Sequence, residues 1–247
     1  MISNVEAMRA ALPLSYSVRR QFIDTFFERE VSRLPAGSRV LDLGGHRVGK
    51  RGRFDIGMYP LVITYANIAP TTEPDVVCDA AAVPRDSGSF DAVILAEIIE
   101  HVLDPSSVLA EASRLLRTGG TLLATAPFMF RVHPDPLDIG RYAPDWWRHV
   151  LSRAGFTDIA VEAQGALPSV VAEMLRGWAL HLEAGGPGFD GWDAWGLDRE
   201  TGLRFVHWAR AMAAGVEQQP GFDRSGYYAS ATTGFGVRAT KGDREPR

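Results

Sequence analysis

The sequence predicts an α/β fold, a mostly parallel sheet covered by helices on both faces, and three observations carry that expectation. Short apolar runs alternate along the chain with stretches of helical spacing. Asp104-Pro105 has the form of a helix start, an N-cap residue followed by proline at the first helical position. The first apolar run ends on a glycine pair, Gly44-Gly45, at the strand end where sheets of this kind bind ligands.

In chain order, Ile23, Phe26, Phe27, Val31 and Leu34 recur at helical intervals and predict an amphipathic helix over 16–34. Four β-like runs follow: "RVLDL" (39–43), "LVITYA" (61–66), "DVVCD" (75–79) and "FDAVILA" (90–96). Val108, Ala112, Leu115 and Leu116 give the helix after Asp104 one apolar face, and Gly119-Gly120 is expected to end it. "TLLATAP" (121–127) reads as a buried strand, 143–155 as a helix and "FTDIAVEAQ" (156–164) as the next strand. Helical stretches near 168–183 and 199–214 precede a final β-like run over 227–240.

At 247 residues the chain can bury a substantial core as one large domain, or as a domain with an insertion. Its 46% hydrophobic and 23% charged content is ordinary for a soluble protein. A net charge of -4 argues against a nucleic-acid partner. Cys78, the single cysteine, excludes an intrachain disulfide and a cysteine-rich metal site, and it suits a reducing cytosol. No signal peptide is read at the N-terminus. The longest apolar run, "AVILAEIIEHVL", is broken by Glu97, Glu100 and His101, so no membrane span is expected. The chain is therefore expected to be cytoplasmic.

Three ligands compete for the turn "LDLGGHRVGKRGRF". A phosphate loop needs Ser or Thr after Lys50, where Arg51 stands, and a helix that "RGRFDIGMYP" cannot supply. The dinucleotide pattern fails because His46 occupies its second glycine position. A ligand without phosphate suits the flanking residues better.

Taken together, "VLDLGG", "VVCDA" and "SFDAVILAEIIEHVLDPSSVLAEASRLLRTGGTLLATAPF" resemble the motifs of class I S-adenosylmethionine-dependent methyltransferases over about residues 38–160. "YANIAPTTEPDVVCDA" and "PFMFRVHPDPLDIGRYAP" resemble, more narrowly, bacterial methyltransferases of glycan and sugar pathways. The resemblance implies S-adenosyl-L-methionine as cofactor and a seven-stranded, mostly parallel Rossmann-like sheet. It implies a cofactor site of Asp42, Gly44, Gly45, His46, Asn67, Ile68, Asp79, Ala80, Ala96 and Glu97. Asp79 would accept from the adenine amine, and Asn67 would meet the ribose diol where the wider family has an acidic residue. An aspartate at position 67 is then expected to hold or improve cofactor affinity.

Methyl transfer to a hydroxyl needs an aligned nucleophile and removal of a proton. His133, after the fifth strand, is the expected general base, with Asp135 or Asp138 orienting its ring and His101 as the next base. The other role open to His133 is a loop-capping imidazole. Glu97, Glu100 and His101 have i, i+3, i+4 spacing and, with His133, offer the elements of a cation site. An ordering network beside the cofactor is the preferred account, so no metal is expected. Asp138 and Arg141 read as a local ion pair. Arg47, Lys50, Arg51 and Arg53 read either as a solvated loop or as a draw for an acidic acceptor.

The expected organisation is one domain over 1–247. It has a helical extension (1–35), a cofactor core (36–165), a helical insertion or cap (166–226), a final strand (227–240) and a tail (241–247). The insertion carries Trp178, Trp192, Trp195 and Trp208, which either pack an extra helical layer or offer platforms to sugar faces. It is also the expected place for a homodimer contact. The predicted partner is a small-molecule or glycan acceptor, methylated on a hydroxyl. The rivals are a non-sugar metabolite methylated at oxygen, nitrogen or carbon, and a catalytically silent binding or scaffold protein suggested by His46 and Asn67.

Overall fold

A computed structural model describes residues 13–49, 51–133, 137–185, 191–223 and 226–243. Lys50, Asp135 and most of the predicted tail lie outside the described residues. Among those described, seven strands form one sheet: β1 (Arg39–Leu43), β2 (Val62–Asn67), β3 (Val76–Val77), β4 (Phe90–Ala96), β5 (Leu116–Pro127), β6 (Phe156–Gln164) and β7 (Gly234–Lys241). The helices are α1 (Val18–Val31), α2 (Pro105–Leu115), α3 (Pro144–Arg153), α4 (Leu167–Ala184), α5 (Arg199–Glu217) and the single turn α6 (Gly226–Ala229).

The strand order is β3-β2-β1-β4-β5-β7-β6. β1 runs parallel to β2 and to β4, β2 to β3, and β4 to β5. The carboxyl ends of these five strands therefore share one edge. Chain order reverses between β1 and β4, which makes that edge the ligand position of an open α/β sheet.

Both faces of the sheet are covered because neighbouring residues on a strand point to opposite sides. Val40, Ala92, Ile94 and Leu123 pack with Ile23, Phe26, Phe27 and Val31 of α1. Their neighbours Leu41, Val93, Leu95 and Leu122 pack instead with Val108, Leu109 and Ala112 of α2 and with Trp147 and Leu151 of α3. Trp147 is fully buried, so truncating it to alanine would cost about 3–5 kcal/mol.

Three boundaries differ from the sequence expectation. α2 stops at Leu115, ahead of Gly119-Gly120, because Leu116 is buried as a strand partner of Phe90. The glycines instead shape an irregularity in which Phe90 pairs with Leu116 but Ala92 pairs with Thr121. A Cβ at Gly120 would lie 2.8 Å from the Arg117 carbonyl oxygen. β3 shrinks to two residues because the side chains of Asp75 and Asp79 bond to the backbone N–H groups of Tyr65 and Ala81. β7 begins at Gly234, not 227, since the preceding stretch closes a helical turn in which the Ser230 N–H and hydroxyl both donate to Tyr227 O.

The chain divides into two compact units. One combines the described residues up to Phe22 with Met129–Arg131 and Ala163–Gly234; the other combines Ile23–Phe128, Val132–Glu162 and the chain from Phe235 onward. In the first, Trp192 packs with Ala179, Leu182 and Val206, and Gly202 leaves room for its ring. Trp178 meets Trp192 and Trp195 edge to face at 5.2 and 5.4 Å; Trp178 and Trp192 are packing elements, while Trp195 is 54% exposed. Trp208 is exposed and stacks on Phe205, which is exposed as well. Among the described residues no helix is long and apolar enough to cross a membrane.

Candidate active site

The candidate site lies in the sheet-bearing unit. At the end of β1, Gly44 takes φ +82°, and a Cβ there would come 2.2 Å from the Ile98 side chain. Its N–H donates to Ala66 O at 2.6 Å, which ties the turn to β2. A Cβ on Gly45 would lie 2.1 Å from the Asp42 carboxylate, so the turn can close over Asp42 only without side chains. His46 follows, partly buried. Arg47 is held locally: its guanidinium pairs with Asp75, donates to Glu73 O at 3.1 Å and lies over the Tyr65 ring.

Asn67, at the end of β2, is buried and does something the sequence did not suggest. Its amide nitrogen donates to the carbonyls of Gly44 (2.8 Å) and Gly45 (3.1 Å), and its oxygen accepts the Ala69 N–H (2.9 Å). A neutral amide can donate and accept at once, as this position requires; a carboxylate cannot donate. The side chain expected to meet a diol clamps the glycine turn in this structure.

The rest of the expected cofactor set lies along the same edge. Ile68 follows β2 and is 72% exposed. Asp79 and Ala80 follow β3, and Asp79 is exposed while accepting the Ala81 N–H at 2.8 Å. Ala96 ends β4, and Glu97 takes the left-handed conformation at φ 56°, its N–H bonded to Thr125 O on β5. A non-glycine residue held there stores strain of about 1–3 kcal/mol.

Beyond Glu97 the chain forms a short 3₁₀ turn, Ile99–His101, rather than the helical turn that i, i+3, i+4 spacing implies. Ile99 and Glu100 are fully buried. The backbone carbonyl of Glu100 accepts N–H groups from Ile139 (2.7 Å) and Gly140 (3.2 Å), and His101 Nδ1 bonds to Leu137 O. These contacts bring the segment after β5 onto the turn after β4.

On that segment Asp138 receives Arg141 through both guanidinium nitrogens and the His133 backbone N–H at 2.8 Å. The Arg141 bonds hold its carboxyl well below the usual carboxylate range, against the opposing effect of burial. His133 Nδ1 lies 3.2 Å from the same carboxylate. Asp138 thus orients His133 and also makes the expected pair with Arg141. The Tyr142 hydroxyl is pushed up, by burial and then by the charge of Glu100.

His133 Nε2 lies 3.9 Å and His101 Nε2 3.6 Å from the same oxygen, Glu100 Oε1. The two rings meet edge to face at 5.4 Å. The side chains that converge are therefore Glu100, His101 and His133. Sequence spacing grouped Glu97 with them; adjacency of the β4 and β5 ends was the signal for the other three.

This architecture, with its glycine turn and strand-end site at the switch point, is the class I methyltransferase fold. Residues 56–124 match the family model described as a methyltransferase domain. A sarcosine/dimethylglycine N-methyltransferase of Halorhodospira halochloris is 34% identical over 101 residues, 35% of this chain and 35% of that protein. The chain spans about a third of the length of the curated relatives it matches. Among solved structures, a SAM-dependent methyltransferase of Archaeoglobus fulgidus aligns over 90% of this chain and 94% of its own, with a TM-score of 0.53 and 15% identity. The cyclase SpnF aligns over 90% and 81%, with a TM-score of 0.55 and 19% identity.

Proposed function

We propose that the chain transfers the methyl group of S-adenosylmethionine to a hydroxyl of a sugar-containing small molecule or glycan. One observation carries this reading: a strand-end rim shaped for a cofactor lies on the same sheet edge as two imidazoles, each ordered through Nδ1. Gly44 and Gly45 keep the first turn free of side chains. Ile68 offers an exposed apolar surface, and Asp79 an exposed carboxylate to accept from an amine edge. In this reading Asp42, Gly44, Gly45 and His46 hold the amino-acid end, Ile68, Asp79 and Ala80 hold the adenine, and Ala96 and Glu97 flank the transfer position. Asn67 keeps the turn in shape.

Bound there, the cofactor supplies a methyl carbon made electrophilic by its sulfonium. The chain's own task is to align the acceptor and take charge of its proton. His133, oriented by Asp138, is the residue assigned to that proton, and His101 shares the position. The hydroxyl preference is supported by this pair, since a sugar hydroxyl is a poor nucleophile until its proton leaves.

A nitrogen acceptor is the second reading, favoured by the N-methyltransferase relative. An ammonium must also lose a proton before it attacks, so the same residues would serve. Incubation with methyl-labelled S-adenosylmethionine separates the two. Label is expected in free sugars, glycosides or sugar nucleotides, and not in sarcosine or dimethylglycine. The reverse distribution would transfer the assignment to nitrogen.

A further inference from the structure

We propose that Glu100, His101 and His133 bind one divalent first-row transition cation, in the range Fe2+ to Zn2+, through Glu100 Oε1, His101 Nε2 and His133 Nε2. These ligand atoms all lie within 4.8 Å of one another. Each imidazole has one nitrogen committed to a group that can only accept. Leu137 O takes the Nδ1 hydrogen of His101, and the Asp138 carboxylate, held in place by Arg141, takes that of His133. In the neutral ring the proton is then on Nδ1, and Nε2 presents a lone pair.

Both lone pairs face Glu100 Oε1, at 3.6 and 3.9 Å. The three ligand atoms converge beside a carboxylate that is fully buried. Ligands about 2.0–2.2 Å from a cation lie roughly 3–3.5 Å apart. The two distances to Glu100 Oε1 therefore need to close by less than an ångström, and the two imidazole nitrogens, within 4.8 Å of each other, draw in with them. Imidazole donors held from behind by a carboxylate or a backbone carbonyl are the arrangement in which a histidine binds metal with a fixed tautomer. Two imidazoles and one carboxylate suit the borderline cations better than magnesium or calcium, which prefer oxygen donors. His101 and His133 are only part-buried, which leaves the ion open to an acceptor oxygen.

The use made of the ion rests on the methyl-transfer reading; its binding does not. The acceptor O–H bond breaks and its proton passes to solvent water. The oxygen's electron pair forms the new O–C bond, and the C–S pair returns to sulfur, leaving a methyl ether and a thioether. The cation lowers the cost of the first event by stabilising the alkoxide. In that case His133 acts on the proton as a ligand and not as a direct base.

The test uses the full chain, free of any histidine tag and stripped by a chelator, titrated with Co2+ in the absence of cofactor and acceptor. One equivalent should raise visible ligand-field bands with a Kd in the micromolar range or below. Glu100→Gln, His101→Ala and His133→Ala should each weaken binding at least tenfold, and Asp138→Asn by about 10–100-fold. His149→Ala, an exposed histidine on α3, should change nothing. Thermal unfolding of each variant separates a lost ligand from a lost fold, and Glu100→Gln preserves side-chain size. Bands that are absent at millimolar Co2+, or unaltered in all three ligand variants, would overturn the site. Calorimetry with S-adenosylhomocysteine on the stripped protein tests the cofactor reading separately. Methyl transfer that persists in the stripped protein would overturn the ion's role and return His133 to the position of direct base.

Discussion

At the ends of β1 and β2 the edge of the sheet is shaped by two glycines and a neutral amide; at the ends of β4 and β5 it is shaped by two imidazoles and two carboxylates. In the first region Asn67 spends both donors on the carbonyls of Gly44 and Gly45, so its contribution is geometric. In the second, Asp138 and Leu137 fix one nitrogen of each ring and aim the other at Glu100. One half of the edge keeps a shape, and the other handles charge. Substitutions should divide accordingly, into losses of stability and cofactor affinity on one side and losses of turnover on the other.

The largest effect is expected at His133. His133→Ala should lower turnover by about 10²–10⁴-fold, whether the ring acts as base or as ligand, with little change in affinity for S-adenosylhomocysteine. Single-turnover rates and calorimetry read the two quantities separately. A turnover near normal at saturating acceptor would reduce His133 to a loop cap and blur the division.

Asn67→Asp comes next and reverses the sequence expectation that an acid would hold or improve affinity. The change removes two donated hydrogen bonds and turns a carboxylate toward two carbonyl oxygens. It should cost at least about 2 kcal/mol of stability, with weaker cofactor binding. Thermal unfolding beside Asn67→Ala checks this, since alanine loses the bonds without adding repulsion. An aspartate variant as stable as wild type would place Asn67 on the ligand and not on the turn.

Gly44→Ala should cost about 1–2 kcal/mol, because it forces a side chain into left-handed backbone against Ile98. Its turnover on bound cofactor should stay near normal, which sharpens the contrast with His133.

Asp138→Asn should show the smallest effect on stability, about 1 kcal/mol near neutral pH. The folded carboxyl ionises more readily than in the unfolded chain, through Arg141. Its contribution is therefore present above the unfolded value near 3.9 and is lost as pH falls through the lower folded value. The gap between wild type and variant in unfolding free energy should close below about pH 4. A gap that persists there would mean that the side chain acts by packing alone.

The strands "RVLDL", "FDAVILA" and "FTDIAVEAQ" coincide with β1, β4 and β6 because apolar pattern and flanking turn residues agree at both ends. Gly119-Gly120 misled as a helix stop because burial of Leu116 against Phe90, a long-range pairing, ends α2 first. At the site, the meeting of His101 and His133 follows from β4 and β5 being neighbours, which the alternation of elements suggests. The pairing of Asp138 with His133 and Arg141 is legible because the three lie close together after β5, whereas the turning of Asn67 toward Gly44 and Gly45 depends on side-chain orientation. No periodicity encodes that. Where polar groups can satisfy one another in several ways, the local sequence names the participants and the folded backbone chooses the pairs.

The account stands most directly on what the β1–β4 edge binds. Calorimetric titration of the purified chain with S-adenosylhomocysteine, ATP and NAD, repeated on Asn67→Asp, addresses it in one experiment. One equivalent of S-adenosylhomocysteine should bind, with weaker binding in the variant and no response to either nucleotide. Tight binding of ATP or NAD with no response to S-adenosylhomocysteine would contradict the account.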